Sequence, residues 1–164
     1  MRLEEICQLR AGDFVERAGI ACFAIDPSAG ALKSLAAERL VPIHNNLLEL
    51  GLADYAASLD PNGRRWPTLR ADKYGKRSSA FSKWFGRYKR ASGLKDPKLI
   101  FHSLRHTFVN TLKQLEVSEA VIAELVGHKN DSITLSQYGK RYNLPLLNKV
   151  MQSLEIAPRR HLFS

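Results

Sequence analysis

At 164 residues, with 45% apolar and 25% charged positions, the chain has the balance of one globular domain able to bury roughly 70% of the surface its unfolded form exposes. No apolar run approaches the roughly 20 residues a membrane helix needs, Glu4 and Glu5 interrupt any leader-like start, and two cysteines, Cys7 and Cys22, are too few for a disulfide framework or a zinc cluster. The net charge of +9 is concentrated in one stretch, since between Asp60 and Arg105 thirteen Lys or Arg stand against three Asp, a local +10 that leaves −1 for everything else.

Such a stretch attracts a polyanion through Coulomb steering and counterion release, and nucleic acid is the usual partner. Charge alone does not choose DNA over RNA. The cysteine content and the lack of a leader predict a cytoplasmic protein in a reducing compartment.

In chain order, residues 2–10 read as a helix. From Asp13 to Asp26 the alternation through Phe14, Val15, Ile20, Cys22, Phe23 and Ile25 predicts short strands. Asp26-Pro27-Ser28-Ala29-Gly30 is a turn signal, and Arg39-Leu40-Val41-Pro42-Ile43 reads as the strand that completes a small sheet. A helical pattern covers His44 to Ser58, with a Pro/Gly/Arg loop at 61–67. Phe81, Trp84, Phe85 and Tyr88 fall at i, i+3, i+4 and i+7, so the helix from Ser78 to Ala91 is predicted to bury an aromatic stripe as core rather than offer it to bases, with its lysines and arginines facing out. After a loop from Gly93 to Pro97, a helix from about Ser103 to Leu115 is expected to turn Leu104, Phe108, Leu112 and Leu115 inward. Ser118 caps the next helix, Val121, Ile122, Leu125 and Val126 pack inward, and Gly127 ends it so that His128 emerges at a turn. Residues from Ser132 to Tyr138 read as a short helix or turn and Pro145 to Leu154 as a last helix, before a patternless tail, 156–164. The fold class is therefore α+β, mainly α-helical with a small antiparallel sheet near the N-terminus.

Six residues along this order carry chemistry: Arg2, Lys33, His102, Arg105, His128 and Tyr138. They are the inventory for cleaving a phosphodiester without a metal. A tyrosine hydroxyl has a pKa near 10, so about one in a thousand is ionised at neutral pH, and attack needs help in removing its proton. Charge then gathers on the two non-bridging oxygens, which guanidinium groups match bidentately. A lysine, mostly protonated, can protonate the departing oxygen. His102 and Arg105 lie three apart at a helix start, where the positive end of the dipole favours an anion. His102 and His106 as a metal pair lack acidic or thiolate company, and His44 and His161, with no motif around them, read as surface residues.

This ordered set resembles the catalytic domain of the tyrosine recombinases, or phage integrases. Met1-Arg2-Leu3-Glu4-Glu5 is similar to the family's opening Gly-x-Arg-x-x-Glu pattern, without its glycine. Lys33 stands ahead of Arg39-Leu40-Val41-Pro42 as the family's hairpin lysine does ahead of its Arg-x-Val-Pro strand. His102-Ser103-Leu104-Arg105 is the His-x-x-Arg pair, Gly127-His128 follows Arg105 by 22 to 23 residues, and Tyr138 stands at the nucleophile's place, with Tyr142 one helical turn on as the competing choice. The resemblance implies the family's catalytic-domain fold over residues 2–155 and double-stranded DNA as partner. It implies a 3′-phosphotyrosyl intermediate, no metal or cofactor, and a homo-tetramer on DNA for the full-length protein.

The family places a helical core-binding domain ahead of this one, so the sequence reads as a fragment beginning inside the first motif, binding DNA weakly on its own. Two other classes stay open: a non-catalytic DNA-binding module of the same fold, and a type IB topoisomerase-like enzyme that relaxes DNA without exchanging partners.

Overall fold

The computed structural model describes residues 1–25, 38–60, 62–128 and 142–155. Helix α1 (Leu3–Gln8) leads through a 3-10 turn (Ala11–Asp13) into strands β1 (Phe14–Arg17), β2 (Ile20–Ile25) and β3 (Arg39–Pro42). Short helices α2 (Asn45–Glu49) and α3 (Leu52–Ala57) precede α4 (Ser78–Ala91), α5 (Phe101–Gln114), α6 (Glu119–Val126) and α7 (Leu144–Gln152). This is the α+β class that the hydrophobic pattern predicts.

The sheet is antiparallel in the order β1-β2-β3. Arg17 pairs with Ile20 across a two-residue turn whose Ala18 and Gly19 both have positive φ, 51° and 71°, the turn whose twist suits a right-handed hairpin. At its other end β2 closes on β3 with Ile25 opposite Arg39. The predicted turn at Asp26–Gly30, Lys33, the segment Ser132–Tyr138, His161 and the tail 156–164 lie outside the described residues.

The core forms where α5, α6 and α7 meet the sheet. Ile25 and Val41 from the strands, Leu112 from α5, Ile122 and Leu125 from α6, and Leu147 and Met151 from α7 are buried in one cluster, each contributing roughly 1.5–3 kcal/mol by leaving water. Cys7 and Cys22 are free and buried, and burial pushes both thiols up to about 11. They are neutral packing groups.

The adjacent acids of α1 do separate work. The Glu4 carboxylate accepts the N–H groups of Arg77 and Ser78, each at 2.9 Å, capping α4 and docking it on α1. Glu5 turns the other way, into the interior. Arg65, fully buried, lies 5.5 Å from the ring centres of both Phe14 and Phe23 and donates to the Ala11 carbonyl, fixing the loop after α3 to the sheet.

Five expectations change. The segment His44–Ser58 is two helices, because Gly51 adopts the left-handed conformation at φ 84° and breaks the run. His44 is buried rather than superficial: its Nδ1 accepts the Asn46 N–H at 3.2 Å and its Nε2 lies 3.0 Å from the Leu154 carbonyl, so the Nε2–H tautomer both caps α2 and ties it to the end of α7.

In α5, Leu104 and Leu115 are 53% and 47% exposed. The helix is rotated so that Arg105 and Leu112 occupy the centre of the inner face, since Arg105 is held there by a carbonyl of α6. In α4 the aromatic stripe divides. Phe81 and Phe85 pack edge-on against Phe101 at 5.1 and 5.3 Å, whereas Trp84 and Tyr88 are 47% and 46% exposed. Lys89 takes a buried place instead of facing out, its amine donating to the Asp96 carbonyl at 2.6 Å.

Candidate active site

The site grows from the C-terminal end of α6. A helix leaves its last carbonyls without intrahelical donors, and the dipole makes that end attractive to cations. Gly127, at φ 70°, turns the chain so that His128 N–H reaches the Ala123 carbonyl at 2.9 Å and Gly127 N–H the Glu124 carbonyl at 3.3 Å, the Schellman closure. Ser118 stands at the N-cap of the same helix, as expected, but without a side-chain bond to it.

The remaining carbonyls of that end face three arginines from three other elements. Arg105 of α5 donates Nη2 to the Val126 carbonyl at 2.7 Å. Arg2, ahead of α1, donates Nη2 to the Gly127 carbonyl at 3.1 Å. Arg39 of β3 reaches the Leu125 and Val126 carbonyls at 3.5 and 3.4 Å. Glu5 binds two of these arginines together, with Oε2 2.8 Å from Arg39 Nη2 and Oε1 3.4 Å from Arg2 Nη1, while Oε2 also accepts the Arg2 backbone N–H at 2.6 Å. Burial works to raise the Glu5 carboxyl, but the hydrogen bond and charge of Arg39, with the Arg2 N–H, outweigh it and hold the group below the ordinary carboxylate value.

Three guanidinium groups against one carboxylate leave the pocket cationic. Nη1 of Arg105 is buried with no hydrogen-bond partner among the described residues, a donor whose burial costs about 1–3 kcal/mol while it stays unpaired. Burial, then the charges of Arg2 and Arg39, push Arg105 down from its ordinary value against the opposing pull of Glu5; the group remains charged all the same. His128 is pushed below 6.5 by partial burial and by the positive charges of Arg105, Arg2 and Arg39, with His102 adding to them. The pocket therefore carries an excess of positive charge that favours an anion.

Of the six residues singled out in the sequence, Arg2, Arg105 and His128 come together at this helix end, and His102 stands close enough to bear on His128. His102 is exposed in the first turn of α5, its ring 4.8 Å from that of His106 in an edge-on contact. Lys33 and Tyr138 fall outside the described residues. Tyr142 has its ring against the core and its N–H on the Glu124 carboxylate at 3.0 Å. No group of three metal-ligating side chains occurs among the described residues, and among them no helix is long and apolar enough to cross a membrane.

Sequence reasoning passed over the roles of Glu5 and Arg39. The available signal was weak: apolar residues follow each charge, Ile6 and Cys7 after Glu5 and Leu40, Val41 and Pro42 after Arg39, but another charge, Glu4 or Glu38, precedes each.

A small α+β domain whose arginines converge on one helix end is suited to holding an anion such as a phosphate. The chain matches the phage integrase family over residues 1–143 and belongs to it. That family comprises site-specific recombinases and integrases, and membership implies a DNA partner. No curated protein and no solved structure gives a significant match to the chain.

Proposed function

We propose that this domain cuts and rejoins DNA strands at specific sites through a 3′-phosphotyrosyl intermediate, the six residues above forming its catalytic set within a domain spanning 2–155. The observation that carries the reading is the convergence of Arg2, Arg105 and His128 on the α6 terminus, with the buried Nη1 of Arg105 awaiting an acceptor.

In this reading a scissile phosphate answers the excess positive charge of the pocket. Arg2 and Arg105 hold its non-bridging oxygens, and His128 donates a hydrogen bond through its neutral ring. The Tyr138 oxygen uses its electron pair to form the new bond to phosphorus. The bond from phosphorus to the 5′ oxygen breaks, its electrons leave with that oxygen, and Lys33 supplies the proton. The phenol's proton passes to His102 and from there to water. A 5′-hydroxyl from a second strand reverses these steps on a new partner, so the energy of the phosphodiester is kept in the protein linkage and no nucleotide is consumed.

Two connections support the residues not described. The one bearing Lys33 joins β2 to β3, and its far end is Arg39, already in the pocket. The one bearing Tyr138 leaves the pocket from His128 and returns at Tyr142, whose ring is engaged with the core. Tyr142, with its ring against the core and its N–H on the Glu124 carboxylate, is engaged elsewhere, which supports Tyr138 as the nucleophile.

A nicked suicide duplex tests the scheme, since loss of the short cleaved strand traps the covalent product. Tyr138→Phe abolishes the protein–DNA adduct on a denaturing gel, and Tyr142→Phe keeps it. An undiminished adduct in Tyr138→Phe overturns the assignment. Plasmid relaxation without joining of two sites assigns the chemistry to a topoisomerase instead.

A further inference from the structure

The stacked pair Trp84 and Tyr88 on α4 is unaccounted for by the site above. Their ring centres are 5.2 Å apart with planes 13° from parallel, and each residue is about half exposed, 47% and 46%. An offset stack of this kind presents a flat π surface to water, and exposing it forfeits the burial that Phe81 and Phe85 obtain on the same helix. Such a surface is available to a partner that would complete the packing.

Beside it runs a second ridge. With about 100° of rotation per residue, Lys83, Arg87 and Arg90 share one arc of α4 and the aromatic pair occupies the adjoining arc. All three cations are exposed, and among the described residues no hydrogen bond or ion pair engages their side chains: the ion pairs found there are Arg2–Glu5, Arg39–Glu5 and Lys113–Glu119. The helix contains no acidic residue.

We propose that the Trp84–Tyr88 stack is a platform for unpaired DNA bases, with Lys83, Arg87 and Arg90 holding the phosphates of the same strand. Charge selects the occupant. A second copy of this chain carries the same +9 and is repelled, and a neutral protein face would strand three cations, whereas a nucleic-acid strand supplies phosphates and rings at adjoining positions. Unpaired bases are favoured over duplex because a duplex already covers both faces of each base, leaving none for a tryptophan. The inference rests on the proposed strand exchange, in which a cleaved strand must leave its complement before it joins another, so unpaired bases exist next to the enzyme at that stage. The platform would hold them and oppose re-pairing.

The test compares two fluorescein-labelled DNAs of equal length, a complete duplex and the same duplex with a short internal bubble, by anisotropy with the 164-residue chain. Wild type binds the bubble more tightly than the duplex. Trp84→Ala weakens bubble binding about 5- to 150-fold, the range that corresponds to loss of one base stack, and changes duplex binding less than twofold. Trp84→Phe, which keeps a π face, recovers most of the loss, and a bubble carrying 2-aminopurine is quenched by wild type but not by Trp84→Ala.

Equal weakening on both DNAs, or no weakening on either, overturns the platform while leaving duplex binding and the recombinase reading intact. Unchanged bubble binding with altered sedimentation of Trp84→Ala identifies a protein interface and also overturns it. If wild type binds neither DNA, the underlying reading falls as well.

Discussion

A methyl group placed on Gly127 would lie 2.5 Å from Nη1 of Arg39 and 2.6 Å from its Cζ. The buried guanidinium and the turn that presents His128 are therefore built against each other. Gly127 is required twice, once by its φ of 70°, which costs a side-chain-bearing residue roughly 1–2 kcal/mol, and once by the room its hydrogen leaves for Arg39. Gly127→Ala is expected to cost more than the backbone penalty alone, about 2–4 kcal/mol by urea denaturation. The contact makes the loss non-additive, so Arg39→Met combined with Gly127→Ala should destabilise by less than the sum of the two single changes. Additive losses would show that Arg39 and Gly127 do not constrain one another.

The Glu5–Arg39 pair is expected to govern acid stability. Glu5 titrates below its ordinary 4.5 in the folded chain, so its stabilising contribution is complete above that value and fades as pH falls through the lower folded pKa. Glu5→Gln removes the charge but leaves Arg39 buried among carbonyls, a loss of about 3–5 kcal/mol at neutral pH and a fall in Tm of roughly 10 °C for a domain this size. The distinguishing measurement is a pH series of thermal melts. Wild type and Glu5→Gln should draw together as pH drops below 4.5, and a constant gap down to about pH 2 would remove the pair from this role.

How much of this was legible before the structure depends on what each residue's neighbours are in sequence. Helices α4 to α7 follow from their 3.6-residue periodicity, and the Gly127 turn from a glycine after an apolar run, because those signals are local. Arg105 could be picked out by its partner His102 three residues away. That it would be buried, displacing Leu104 and Leu115 from the inner face, could not, since the cause is the Val126 carbonyl 21 residues on. The buried His44 has the same origin in a contact with Leu154, 110 residues away. The exposure of Trp84 and Tyr88 is likewise a property of what α4 packs against, and amphipathic spacing alone describes a face without saying how much of it is covered. Long-range carbonyl contacts and incomplete coverage leave no periodic trace.

His128 offers a direct reading of the electric field in the pocket. Partial burial and the charges of Arg105, Arg2 and Arg39 lower its pKa from 6.5, so the imidazole is neutral at physiological pH and the folded chain takes up fewer protons than the unfolded one just below 6.5. Its contribution to stability is therefore full above 6.5 and declines as pH falls through the folded pKa. Arg105→Ala or Arg2→Ala should raise the His128 midpoint, as should added inorganic phosphate, because each diminishes the positive field. Proton NMR of the ring Cε1–H follows this titration. A midpoint unmoved by phosphate would mean that no anion enters the pocket.

Arg105 divides its guanidinium between two tasks, Nη2 on the Val126 carbonyl at 2.7 Å and Nη1 left without a partner among the described residues. A lysine keeps the charge but concentrates it on one ammonium at the end of a flexible stem, which cannot be anchored to the helix end and still present a fixed second donor. Arg105→Lys is therefore expected to lose cleavage nearly as severely as Arg105→Ala, about 10²- to 10³-fold in the rate of covalent adduct formation on a suicide duplex. DNA affinity and its salt dependence should stay close to wild type in Arg105→Lys, since the slope of log K against log salt counts charges rather than their geometry. Rates for Arg105→Lys within tenfold of wild type would show that this position needs a positive charge and not a fork of donors, and the rigid clamp on the phosphate would have to be sought in Arg2 alone.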